Sequence, residues 1–219
     1  MFADIVWSEV WQASVDTLYM VGVSTLLSVV IGLPIGVFLY LFSRGHLVRH
    51  RVLYEFLSVI VNIFRSVPFI ILLIAIIPFT EWVVGTSIGT NAAIVPLVVG
   101  AAPFFARLAE TALREVDPGV LEAAQAMGAS TWQIVFKVLL PEAKAGLISG
   151  VTITAVALIS YSAMAGVVGG GGLGDLAIRY GYERFQTDVM FVTIVIMIVM
   201  VQVMQWIGDK IVASVSRKR

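Results

Sequence analysis

Five runs of apolar residues divide the chain, at about 18–42, 56–79, 92–113, 145–168 and 189–208. Each reaches the length of about 20 residues that a helix needs to cross the hydrocarbon core of a bilayer. Ahead of the first run, residues 2–16 alternate acids with Trp7, Trp11 and Val15. That pattern predicts an interfacial helix with its tryptophans at headgroup depth. The first run is uncharged and contains Gly32-Leu33-Pro34-Ile35-Gly36, which predicts a kink and a small-residue surface for close packing. The second is apolar except for Asn62, Arg65 and Ser66, with Pro68 soon after, and residues 80–91 read as a short loop. The third holds Pro96 and Pro103 and becomes charged at Arg107 and Glu110. The fourth runs into Gly169-Gly170-Gly171-Gly172-Leu173-Gly174, which reads as a flexible end.

Between the third and fourth runs lies a partly polar, well-punctuated segment, EAAQAMGASTWQIVFKVLLPEA, from Glu122 to Ala143. Asp117-Pro118 predicts an N-cap followed by proline at the first helical position. Gly128 supplies a left-handed stop. Ser130 and Gln133 have capping-box spacing and open a second short helix, which Pro141 ends. The two short helices form a knob between membrane spans. Val120, Leu121, Ala124 and Met127 share a face of the first, and Ile134, Val135, Val138 and Leu139 crowd the second. That apolar surface exceeds what two such helices can bury on each other, which implies a groove on a partner protein.

Composition agrees with a membrane-bound chain. It is 59% hydrophobic and 13% charged over 219 residues, with a mean hydropathy of +0.99, so the bilayer is its solvent. The N-terminal stretch lacks the basic start and cleavage site of a signal peptide. Arg44, Arg49 and Arg51 follow the first run. Arg107, Arg114, Lys137 and Lys144 lie between the third and fourth, and Lys210, Arg217, Lys218 and Arg219 close the chain. On the other side only Arg179 and Arg184 appear, beside Asp175, Glu183 and Asp188. The positive-inside bias therefore predicts five spans, with the N-terminus outside and the C-terminus and knob in the cytoplasm. No repeat or linker is evident, so residues 1–219 read as one domain with a core at about 14–208.

Several chemistries are excluded. Zero net charge leaves no footprint for nucleic acid. No cysteine is present, which removes disulfides, thiolate metal sites and cysteine catalysis. His46 and His50 could share a helix face, but without a third ligand a solvated basic loop is the better reading. No P-loop occurs, and the glycine run lacks a lysine and lies on the outer side. The chain reads as non-catalytic, with no metal or cofactor of its own. Arg65 lies roughly mid-depth in the second run, where a charge must face protein or water. Its residue context favours pairing with Glu110 or with carbonyls freed near Pro68; the other reading is a contact for a substrate carboxylate. Ser160, Tyr161, Ser162 and Met164 interrupt the fourth run and suit either helix packing or a soft apolar gate.

Glu122-Ala123-Ala124, then Gly128, then Val138-x-Leu140-Pro141 resembles the EAA motif of the permease subunits of binding-protein-dependent ABC importers. The spacing matches throughout, and Val138 stands where isoleucine is usual. The likeness extends over nearly the whole chain, including Asn62-Ile63-Phe64-Arg65-Ser66-x-Pro68-Phe69 and Tyr161-Ser162-Ala163-Met164. Among these permeases it most resembles that of the methionine importer. The resemblance implies an all-α integral membrane chain of the type I importer fold in a bacterial inner membrane. Its coupling helices, at about 118–141, would dock through Glu122, Ala123, Ala124, Gly128, Leu140 and Pro141 into an ATPase subunit present in two copies. ATP and Mg would be bound by that partner. A periplasmic or lipid-anchored binding protein would deliver substrate, and two copies of this chain would rock between outward and inward states. Asn62, Arg65, Tyr161, Ser162 and Met164 are the candidate gate and pathway residues. Glu122, read as near the N-terminus of its helix, would favour the dipole and meet a basic group on the ATPase. Alternatives are a permease for another small amino acid, and a secondary transporter, for which no inverted repeat or midplane carboxylate is found.

Overall fold

The computed structural model describes residues 5–43 and 50–216. Arg44, His46, Arg49, Arg217, Lys218 and Arg219, on which part of the orientation argument and the histidine-pair reading rest, lie outside them. All regular structure among the described residues is helical, without a strand. In chain order the helices are α1 Trp7–Phe42, α2 Arg51–Ser66, α3 Phe69–Ala75, α4 Ile77–Val84, α5 Thr90–Arg114, α6 Pro118–Ala126, α7 Thr131–Ile134, α8 Leu140–Glu142, α9 Lys144–Ala165, α10 Gly172–Leu176 and α11 Thr187–Ser216. Wide π turns occupy Val135–Leu139 and Ala177–Tyr182, and a 3-10 turn occupies Gly166–Val168. Four helical stretches among the described residues are long and apolar enough to cross a membrane, and there are five if the bent pair α2–α3 counts as one span.

Three elements differ from the sequence reading. The expected interfacial helix and first span are one 36-residue helix that continues through Pro34. At 1.5 Å per residue it is about 54 Å long, more than the hydrocarbon core requires, which lets Trp7 and Trp11 extend beyond it. The second run is not straight: α2 and α3 diverge by 100°. Hydropathy continues across the break, but Pro68 forces Val67 into extended backbone (ψ 126°) and the helix cannot pass. Helix then resumes in α4 to Val84, inside the expected loop, and closes on left-handed Gly85.

The long helices meet through small side chains. Ser24, Ser28, Gly32 and Gly36 recur every four residues on α1 and are all buried. A Cβ on Gly32 would lie 2.6 Å from the Ala102 carbonyl oxygen, and one on Gly36 2.6 Å from that of Ala106. Absent side chains thus set the α1–α5 separation, as small-residue stripes do in membrane bundles. Three apolar clusters follow along the bundle. One end gathers Val10, Ala13, Leu173, Leu176 and Val189. The middle packs Met20, Val21, Phe69, Leu97, Leu158 and Ile159. The other end holds Val37, Tyr40, Leu41, Leu113, Val116 and the knob. α11 stays on the outside, burying only Val189, Thr193 and Gly208.

The glycine run is not a loose tail. Gly172, Leu173 and Gly174 are buried in α10, and the Leu173 N–H donates to Thr17 Oγ1 at 2.9 Å. The Gly89 N–H donates to the Gly169 carbonyl at 2.9 Å. A Cβ on Gly172 would meet Thr17 Oγ1 at 2.6 Å. These glycines let backbone approach α1 and the α5 N-terminus.

Candidate coupling knob and pathway

The knob is built by local chemistry. Asp117 Oδ1 accepts from the Gly119 N–H at 2.7 Å, capping α6, and Pro118 occupies its first turn. Gly128 adopts φ +76°. There the Ala129 N–H donates to Ala124 O at 3.1 Å and the Gly128 N–H to Gln125 O at 2.9 Å, the paired bonds of a Schellman stop. Ser130 and Gln133 then form a reciprocal capping box at 2.8 and 3.4 Å.

Pro141 does not end the second helix. The chain winds wider over Val135–Leu139, with the Leu140 N–H reaching back five residues to Val135 O. The widened turn ends just before Pro141, where a regular turn would crowd the proline ring. Helix continues through α8, and only Ala143 (ψ 0°) separates it from α9. The knob is therefore joined almost directly to a membrane span.

The knob also has a nearer socket than its apolar pattern implied. Ala124, Ile134, Val135 and Leu139 are buried against Val37, Tyr40, Leu41 and Leu113 of this same chain, with Leu121 and Val138 packed beside them. What stays outward is Glu122, Ala123 and Gly128, with Val120, Met127, Trp132 and Phe136 as exposed apolar groups. Leu140 is half-buried and Pro141 exposed. Glu122 is the fifth residue of α6. It lies past the turn where a carboxylate gains from the dipole, which corrects its expected role there. Trp132 and Phe136 stack at 6.0 Å between ring centroids. They escaped the sequence reading, although two aromatics four apart on one helix face were the available signal.

A polar network ties α2 to α5. Glu110, its side chain only 2% exposed, accepts from Arg107 Nη1 at 2.5 Å and Arg114 Nη2 at 2.7 Å. Arg107 Nη2 also donates to Ser58 Oγ at 2.8 Å and Asn62 Oδ1 at 2.9 Å. Arg114 reaches the Tyr54 hydroxyl at 3.5 Å. Tyr54, Ser58 and Asn62 recur every four residues on α2, and Arg107, Glu110 and Arg114 share a face of α5. The expected partner of Arg65 is thus already taken, and the Arg65 guanidinium makes no ion pair or hydrogen bond among the described residues.

The remaining pathway candidates separate. Tyr161 is half-buried and stacks on Phe69 at 4.6 Å with the rings 7° from parallel. Ser162 is buried and donates to the Ile159 carbonyl of its own helix at 2.8 Å. Met164 is exposed. Arg65, Phe69 and Tyr161 meet at one pocket of about 200 Å³, whereas Asn62 belongs to the Arg107 network.

Residues 32–217 match the model of the family described as binding-protein-dependent transport system inner membrane component. The chain is 52% identical to the probable D-methionine transport system permease protein MetI of Vibrio cholerae, over 99% of this chain and 94% of that one. It is 48% identical to the methionine import system permease protein MetP of Bacillus subtilis, over 99% and 98%. A solved structure, the MetNI methionine ABC transporter in an inward-facing conformation, superposes with a TM-score of 0.95 at 50% identity, covering 97% of this chain and 99% of its counterpart. An amino acid ABC transporter solved with histidines shares the fold at 19% identity, with a TM-score of 0.74.

Proposed function

The chain belongs to the binding-protein-dependent transport system inner membrane components, and from that membership we propose that it is the permease subunit of an ATP-driven methionine importer. The family is one of multi-pass inner membrane permeases of type I ABC importer fold. The observation that carries the reading further is the knob. Its EAA-to-glycine spacing is held by two caps and a Schellman stop, with Glu122, Ala123 and Gly128 presented outward. A separate ATPase supplies the energy, binding ATP and Mg, while this chain provides the path. Relatives at about half identity that are named for methionine transport support that substrate over another small amino acid.

A second copy of the chain supplies the other wall. α2 buries only Val61, leaving Phe56, Val59, Ile63 and Phe64 uncovered beside Asn62, Arg65 and Ser66. A helix with both apolar and polar residues uncovered suits a two-fold interface around a path better than lipid alone. The N-terminus then lies outside and the knob in the cytoplasm, as the positive charges at Arg51, Lys137, Lys144 and Lys210 favour. A binding protein delivers substrate to the outer face. Tyr161, Met164 and Arg65 border the pathway, with Met164 as its soft gate.

The test is reconstitution of the chain with its ATPase and binding protein in proteoliposomes. ATP-dependent uptake of labelled L-methionine, lost when the binding protein is omitted, is the expected result. Uptake of a different amino acid in its place would reassign the substrate. Methionine flux independent of ATP would overturn the reading.

A further inference from the structure

We propose that the pocket beneath Arg65 is a transient site for the free amino acid, with its carboxylate on the Arg65 guanidinium and its apolar side chain against the Phe69–Tyr161 stack. The inference rests on the importer reading and gives its pathway a defined stopping point. Arg65 lies on the last turn of α2 and is exposed, and its guanidinium has no ion pair or hydrogen bond among the described residues. Glu110, the carboxylate closest in character to a partner, is satisfied by Arg107 and Arg114. A guanidinium at membrane depth in this condition must face water or a solute that brings its own negative charge.

The pocket under it has the matching chemistry. It encloses about 200 Å³ between Phe64, Val67, Phe69, Gly100, Phe104 and Tyr161. It exists because the extended Val67–Pro68 break swings α3 away from α2 by 100°, so that α2 ends over a gap. A Cβ added at Gly100 would stand in ordinary contact with the Phe69 ring, 3.4 Å away. The stacked rings of Phe69 and Tyr161 offer an aromatic surface on which a thioether or aliphatic chain packs favourably. One planar cation that can grip a carboxylate with two parallel bonds, above an apolar and aromatic wall, selects a small monocarboxylate with an apolar side chain. The volume is several times the share of one water, about 30 Å³, and suits a solute of a few heavy atoms. Tyr161 is three residues from Met164 on α9, so a solute held here waits beside the candidate gate.

Because the chain has no cysteine, a Val67→Cys variant places a single thiol on the pocket wall. The assembled complex in proteoliposomes is treated with a maleimide, with and without saturating L-methionine or methioninol, which lacks the carboxylate. Methionine is expected to slow labelling several-fold and methioninol to leave it unchanged. Arg65→Met should abolish the protection, and Arg65→Lys should retain part of it. Equal protection by both solutes, protection that survives Arg65→Met, or a thiol that no nucleotide state exposes would each overturn the site. Wild-type uptake is measured on the same preparation. Failure of uptake counts against the importer reading, whereas uptake without protection counts against the pocket alone.

Discussion

The Arg107 guanidinium donates to Asn62 Oδ1 at 2.9 Å, across the gap between α5 and α2. With Glu110 holding Arg107 from the other side, α2 is fastened to the bundle by polar contacts more than by buried apolar area, since Val61 is its only buried residue. Removing the shared acid leaves two guanidiniums facing each other without a counter-charge. Glu110→Ala should destabilise the solubilised complex by about 2–3 kcal/mol, less than for a fully buried pair because the guanidiniums left behind are partly exposed. Asn62→Ala should cost only about 1 kcal/mol, as for one hydrogen bond. Thermal midpoints in detergent check the ranking, and an Asn62→Ala effect equal to that of Glu110→Ala would refute it.

Gly36 and Gly22 lie on the same helix in opposite circumstances. A Cβ at Gly36 would press on the Ala106 carbonyl, while one at Gly22 meets nothing within 4 Å. Gly36→Ala should destabilise by about 1–3 kcal/mol through overpacking. Gly22→Ala should be neutral or stabilising, by up to about 1 kcal/mol, from helix propensity. Yield and thermal stability of the two variants decide the point.

Thr17 satisfies a buried N–H on a distant element, that of Leu173. Thr17→Val keeps the shape and removes the acceptor, so it should cost about 1–3 kcal/mol. Hydrogen exchange at the Leu173 amide should rise more than exchange at the α5–α9 contact. Unchanged exchange there would mean that the amide finds another acceptor.

Gly128 has open space around it but a left-handed backbone. Gly128→Asp should therefore strain the Schellman stop by roughly 1 kcal/mol, within the range for a residue forced into that region. Membrane insertion should persist while copurification with the ATPase falls. Glu122→Lys, at an exposed site, should reduce ATP-driven uptake without changing the thermal midpoint. A drop in that midpoint would place Glu122 in the fold.

Met164 is exposed within α9. Met164→Ala should leave assembly intact and raise ATP-independent leak of small solutes into liposomes. Leak equal to wild type would return Met164 to a packing role.

What could be read without coordinates was what depends on neighbours in sequence. The Asp117 cap, the Gly128 stop and the Ser130–Gln133 box all act within a few residues, and each is where its pattern put it; the apolar runs at about 92–113, 145–168 and 189–208 likewise fall within single long helices. Errors arose where a partner lies far along the chain. An apolar face on α6 or α7 looks the same whether it meets another protein or the chain's own Val37 and Leu113. Glu110 could have paired with Arg65 by charge alone, although Arg107 and Arg114 stand three and four residues away on its own helix, a spacing that was legible in the sequence. Pro141 looked like a stop because its pattern does not reveal a π turn. The break at Val67–Pro68 was hidden because hydropathy continues on both sides of it.

The near-seamless join between knob and span has a mechanical meaning. A flexible linker would dissipate a push on Trp132 or Phe136 as local motion. Here one non-helical residue, Ala143, stands between the knob segment and 22 residues of α9. A rod of that length is about 33 Å long. Tilting it by roughly 5° moves its far end, near Tyr161 and Met164, by about 3 Å. In a permease driven from the knob side, a small rotation at one membrane surface would thus become, at the other end of α9, a displacement about one side chain wide.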